Sequence, residues 1–213
     1  IKSEGLAKIA EARRKNNNFL AWQKANPVKY AVLKESEKLA ELYGTMLGDG
    51  CVERFSRTEK LSIAFNSKET EHISYVVNLI EKLFRKKPFI RKMINVNCVY
   101  VGIYQKNISE RLKFPLGKKQ KYSLIIPSWI KNNKRYLIAC LKGLFETDGD
   151  WVIDKNYGTN VIKFTNIIGS LLDDVQKCLI SLGFSANRGK KRVTISKSKE
   201  VEKFVNLIKF RQY

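Results

Sequence analysis

Asp49 and Asp148 each end an apolar nine-residue stretch, LYGTMLGDG at 42–50 and LKGLFETDG at 141–149. The stretches share the leucine, the first glycine, the acid and the final glycine, and the acids stand 99 positions apart (148 − 49). Ahead of the first acid, Leu39, Leu42, Tyr43, Met46 and Leu47 recur at helical spacing, which predicts a helix that stops at Asp49-Gly50. A carboxylate at the carboxyl end of a helix faces the negative end of the dipole, at a cost of ~0.3–1 kcal/mol. Two such carboxylates side by side also repel. A divalent cation between them reverses both penalties, and hard oxygen donors suit Mg2+ or Mn2+. Metals held this way beside a basic surface polarise a phosphate, supply hydroxide and stabilise a leaving oxyanion, which is the chemistry of phosphodiester hydrolysis.

The helices must be able to bring the acids together. Gly44 and Gly48, and Gly143 and Thr147, lie four positions apart on one helical face, so both faces are small enough for close approach. A glycine that caps a helix in the left-handed conformation would explain one Asp-Gly. It does not explain two copies heading similar halves.

After each acid the same order of elements follows. The first half reads as the hairpin CVERF and LSIAFN, a helix over 68–86, strands near 89–94 and 98–104, and a short helix at 107–113. The second reads as a helix over 134–147, strands near 151–154 and 160–166, a helix at 168–182, strands at 186–190 and 192–196, and a helix at 198–209. This predicts an α+β fold of two halves with the same αββαββα order. The expected boundaries are a basic extension over 1–33 that makes accessory DNA contact, a first half over 34–114, a linker over 115–127 and a second half over 128–213.

Lys and Arg number 41 against 20 Asp and Glu, a formal charge of +21. From Lys82 to Leu144 the one acid is Glu110, and from Val175 to Lys199 there is none, so the charge is blocked, as a polyanion-binding face requires. Cys51, Cys98, Cys140 and Cys178 stand far apart with no CxxC pair, which argues against zinc and a disulfide framework and for buried free thiols. His72 suits a helix surface and takes no role. No run approaches a membrane span and no signal-peptide core is seen, so an intracellular protein with no membrane partner is expected, in a prokaryotic cytoplasm or an organelle matrix.

With LYGTMLGDG and LKGLFETDG the chain resembles the LAGLIDADG homing endonucleases over roughly residues 35–213. The resemblance implies two pseudo-symmetric halves, each an antiparallel four-stranded sheet with helices on one face, packed through the motif helices, and a site-specific double-strand DNA endonuclease that acts as a monomer. Asp49 and Asp148 would bind the metals, with the carbonyls of Gly48 and Thr147 as further ligands. It also implies polar or basic residues around the attacking waters, at Lys68 and Asn166, and a basic residue after the first half, at Lys118 or Lys119. The sixth motif position, often acidic in the family, is Leu47 in one copy and Glu146 in the other.

Strand alternation then assigns the groove-facing side chains. Leu61, Ile63 and Phe65 point to the core and Ser62, Ala64 and Asn66 to the groove. Arg91 and Tyr100 join them in the first half, with Lys163, Thr165, Arg188, Lys190, Arg192, Thr194 and Ser196 in the second. Arginine on guanine is the strong contact expected. Because the halves differ, the double-stranded DNA target should be asymmetric. An RNA maturase acting on intron RNA, or a non-cleaving DNA-binding regulator, could use the same scaffold, but neither needs both Asp49 and Asp148.

Overall fold

A computed structural model describes residues 5, 11, 21, 25, 26, 28–154 and 158–211. Residues Ile1–Ala31 form one compact unit and Val32–Tyr213 a second, which holds both halves. The expected basic extension falls largely outside the described residues.

The first half runs α1 (Glu37–Asp49), β1 (Gly50–Arg54), β2 (Glu59–Asn66), α2 (Thr70–Phe84), β3 (Phe89–Lys92), β4 (Cys98–Gln105) and α3 (Ile108–Leu112). A 3₁₀ turn at Lys119–Lys121 and α4 (Ser128–Lys131) lead to the second half. That half runs α5 (Lys134–Asp148), β5 (Gly149–Asp154), β6 (Thr159–Thr165), α6 (Gly169–Ser181), β7 (Ala186–Gly189), β8 (Arg192–Ile195) and α7 (Ser198–Ile208). Each half forms an antiparallel sheet of the same order, β1-β2-β4-β3 and β5-β6-β8-β7.

Burial follows the alternation of the strands. Leu61, Ile63 and Phe65 of β2 are buried, as are Ile162 and Phe164 of β6 and Val193 and Ile195 of β8. Helix α1 is buried on every side from Leu39 to Leu47, because it packs on its own sheet and on α5 at once. Its start is fixed by the Ser36 hydroxyl, which accepts from the Leu39 N–H, and that of α5 by Asn133, which accepts from Arg135 and Tyr136. Residue His72 is not at a helix surface: α2 turns it inward, against the Phe65 ring at 4.9 Å. Burial and the nearby cations Arg211 and Lys142 lower its pKa to about 4, so it is neutral. The thiols are free, Cys140 and Cys178 buried and Cys51 and Cys98 half-buried. Among the described residues no helix is long and apolar enough to cross a membrane.

Residues paired directly across antiparallel strands share a sheet face. Ala64, Tyr100 and Arg91 form one row of the outer face of the first sheet. In the second sheet Lys163 pairs with Thr194, and Thr165 with Arg192, on the outer face. Arg188 is a correction. It pairs with the core residue Val193 and so turns to the helix side, where its Nε donates to Asp173 of α6 at 2.7 Å. Its neighbour Asn187, paired with Thr194, takes the outer position. Lys190 lies beyond β7, in the turn to β8, and is exposed, as is Ser196 past the end of β8.

Candidate active site

Helices α1 and α5 make the most extensive contact between any two elements. A methyl group on Gly44 would overlap the carbonyl of Cys140, and one on Gly143 the carbonyl of Glu41. Glu41 and Cys140 are themselves 99 positions apart (140 − 41), so the two contacts are the same contact seen from either helix. One turn further on, Gly48 faces the hydroxyl of Thr147. The acids that follow are thereby brought to the same end of the helix pair.

The glycines after the acids serve space rather than backbone hand. Gly50 is extended (φ −85°) and so is Gly149 (φ −91°), and each starts a strand at once. A Cβ would collide with Met46 at the first and with Phe145 at the second. Neither takes the left-handed cap that would have explained a single Asp-Gly.

Asp49 and Asp148 open into two separate cavities of about 250 Å³ each, paired crosswise with the opposite motif. Asp49 lines one with Thr147, Asn66, Glu69 and Asn97. Asp148 lines the other with Gly48, Lys119, Asn166 and Lys191. Thr147 has its hydroxyl committed to the carbonyls of Gly143 and Leu144, at 3.2 and 2.9 Å, so its main chain is what it can offer a ligand. Gly48 has only main chain to offer.

Lys119 answers the choice between the two lysines. Its Nζ donates to the carbonyls of Met46 at 3.1 Å, Leu47 at 2.8 Å and Gly48, the negative end of α1. Lys118 is exposed and turned away. The linker is held in place by the Gly117 N–H, which donates to the Val52 carbonyl at 2.7 Å, and Gly117 takes the left-handed conformation (φ 77°) that this turn demands. Partial burial lowers the pKa of Lys119, and the charges of Asp148 and Asp49 oppose that shift. Burial raises the pKa of Asp148 to about 6, with the Asp49 charge adding to it and the Asn166 hydrogen bond and Lys119 opposing. Burial also raises Asp49, which opens further to solvent, and Lys119 opposes.

Asn166 donates to Asp148 Oδ2 at 2.7 Å while its own oxygen accepts from Ile168 N–H at 2.9 Å, which fixes the carboxylate. Lys68 does not do the equivalent work in the first half. It is exposed in the turn after β2, and Asn66, Glu69 and Asn97 occupy the cavity instead. Glu69, Asn97 and Lys191 escape sequence reasoning. Asn97 and Lys191 lie in turns between outer strands and are brought in by matching bonds, Ser67 N–H to Asn97 O and Asn166 N–H to Lys191 O. Only the register of Ser67 with Asn166 could have pointed to them.

The asymmetric motif position has a structural cause. Leu47 is buried in the core, whereas the Glu146 carboxylate is sealed against Arg211, which also pairs with Glu41 of α1. Glu41 accepts in turn from Tyr75 at 2.6 Å, and the Arg211 guanidinium lies 3.6 Å over that ring. This cluster ties the end of the chain to both motif helices.

Residues 135–209 match the model of the LAGLIDADG-like domain family. This chain carries a LAGLIDADG-like domain in its second half. Its fold is that of I-DmoI in complex with DNA and Mn, with a TM-score of 0.55 at 19% identity over 83% of this chain and 98% of that one. It is also that of the LAGLIDADG meganuclease I-AabMI bound to uncleaved DNA, with a TM-score of 0.55 at 14% identity over 82% and 84%. The N-terminal LAGLIDADG domain of DUF199/WhiA aligns with a TM-score of 0.57 at 15% identity over 87% and 88%. No curated protein matches the sequence. The LAGLIDADG match covers the second half, and the first half repeats its motif, strand order and helix contacts.

Proposed function

We propose that this LAGLIDADG chain is a site-specific DNA endonuclease of the homing type that cuts both strands of a long asymmetric duplex as a monomer. The observation that carries the reading is the crosswise pairing of Asp49 with Thr147 and of Asp148 with Gly48, with Lys119 between the acids. Two such centres in one chain match two scissile phosphates, and I-DmoI and I-AabMI, which share the fold, were seen bound to DNA.

The residues fit a hard divalent cation such as Mg2+ or Mn2+. Each centre offers a carboxylate and a main-chain oxygen, and among the described residues no three His, Cys, Asp or Glu side chains gather to form a self-sufficient site. Phosphate oxygens and water would complete the shell. When bound, such an ion supplies an activated water and neutralises charge on the phosphate. The Lys119 ammonium resting on the Gly48 carbonyl supports a preference of this helix end for positive charge.

The chain's own groups do the rest. Asn166 holds one oxygen of Asp148 and leaves the other toward the cavity. Lys119 sets a positive charge beside both acids, placed to stabilise negative charge that develops on a phosphate. The outer-face residues Asn66, Arg91, Tyr100, Lys163, Thr165, Arg192 and Thr194 would meet base edges or phosphates, and a net charge of +21 supports the affinity.

The test is cleavage of a randomised duplex library with Mg2+ against a chelator control. Asp49→Asn and Asp148→Asn should each abolish double-strand cutting and leave DNA retention within about twofold. Full cutting by either variant would sink the assignment.

A further inference from the structure

The outer face of the first sheet, the side turned away from the helices, carries a row of aromatic rings. Phe89 and Tyr104 lie 5.3 Å apart between centroids, and Phe55 stands 6.0 Å from Tyr104. Gly102 makes room for the row, since a methyl there would meet the Leu61 carbonyl and the Phe89 ring. Phe89 and Tyr104 border a cavity of about 620 Å³ that Met93 and Tyr100 also line, with Ser62 beside them.

The charge there is partly cancelled. Lys60 is paired with Glu53 across the hairpin and stands 5.7 Å from the centre of the Phe55 ring, while Arg91 lines the cavity opposite Tyr100. The corresponding face of the second sheet is different in kind. Its rows hold Asp150, Lys163, Thr194 and Asn187, then Thr165 and Arg192. One face is thus rich in aromatic rings, the other in hydrogen-bonding and charged side chains.

Exposed rings have a cost in water. Tyr104, on β4, is 43% exposed, and Phe55, just past β1, 46%. A covering partner is implied, and strand β2 names it. The same strand ends at Asn66 in the Asp49 cavity and carries Ser62 beside the aromatic rings, so a duplex that reaches Asp49 continues onto this face. The apolar group that a base pair offers in the major groove is the C5-methyl of thymine.

We propose that the aromatic outer face of the first sheet reads a thymine-rich half-site through methyl contacts, while the second sheet reads its half-site by hydrogen bonds. This rests on the DNA-binding part of the function proposed above. It makes the halves differ in the chemistry of readout as well as in the sequence read.

The test is binding selection of the full chain on a randomised duplex library with a chelator present, so that cleavage plays no part. One half of the selected site should be enriched in thymine. Replacing those thymines with deoxyuridine, which lacks only the methyl, should weaken binding about fourfold per contacted base. The same replacement in the other half should leave binding unchanged. Tyr104→Ser, at an exposed position, should abolish the deoxyuridine effect and leave the other half-site's preferences intact. A selected site without thymine enrichment, or one indifferent to deoxyuridine, overturns the proposal and leaves DNA binding standing. Failure to retain any duplex overturns both.

Discussion

Lys119 has its charge on three carbonyls at the end of α1 and between two carboxylates, so it answers for the electrostatics of both centres. Lys119→Met should reduce the cleavage rate by on the order of 10²-fold or more. Binding should hardly change, because one of 41 basic residues is lost. Single-turnover rates on a selected duplex, alongside retention, separate the two effects. Asp148 makes a different prediction. Its pKa of about 6 lies above the unfolded value of 3.8, so between those values the native protein holds a proton that the unfolded chain has lost. The stability that this contributes is full below about pH 4 and is lost as pH rises through about 6. Metal-free Asp148→Asn should therefore be more stable than the parent at pH 7.5, by on the order of 1–2 kcal/mol once partial exposure is allowed for, and no more stable at pH 4. Urea unfolding at the two pH values checks it, and an equal difference at both would refute the assignment of the strain to Asp148.

At the scale of elements, the crossing of α1 on α5 sets how far apart the acids stand. Gly44 and Gly143 let each backbone rest on a carbonyl of the other helix, so a methyl cannot be absorbed by rotation of a side chain. Gly44→Ala should cost on the order of 2–3 kcal/mol, despite the better helix propensity of alanine, because backbone must move against backbone. Urea denaturation measures it, and a neutral or stabilised variant would show that the helices cross more loosely. The linker is an element of the site as well. It brings Lys119 in by a left-handed Gly117 and by the Gly117–Val52 bond, and its far end is fixed where Ile126 N–H donates to Asp174 at 2.6 Å.

The halves also cohere through Arg211, whose guanidinium joins Glu41 of one half to Glu146 of the other. Arg211→Met takes the cation from both carboxylates, leaving Glu41 the Tyr75 hydroxyl and Glu146 the main-chain N–H of residue 211, and should cost about 3–5 kcal/mol. Adding Glu146→Leu, the residue type of the matching position Leu47, should recover most of the loss, since an apolar pair at a buried site is often as stable as an ionic one. Thermal unfolding of the single and double variants tests this, and an additive loss would argue against the pairing. Two cavities that share a plan but differ in content follow from the same asymmetry of the whole: Glu69 beside Asp49, and Lys119 with Lys191 beside Asp148.

Periodicity alone determined the α+β class, the repeated αββαββα order and the end of each motif helix, because these rest on local spacing and on the Asp-Gly that closes each helix. It also carried the pair Asp49 and Asp148, since two acids at equivalent helix ends are visible as a repeat. Only the tertiary structure decided what surrounds them. Lys119 over Lys118 depends on how Gly117 turns the linker, and Asn97 and Lys191 arrive from turns whose place is set by long-range bonds. Arg188 faces the helices because strand β7 is registered against β8 with Arg188 opposite Val193. A single shift of register reverses every side chain on a strand, and that register is a property of the assembled sheet rather than of the segment.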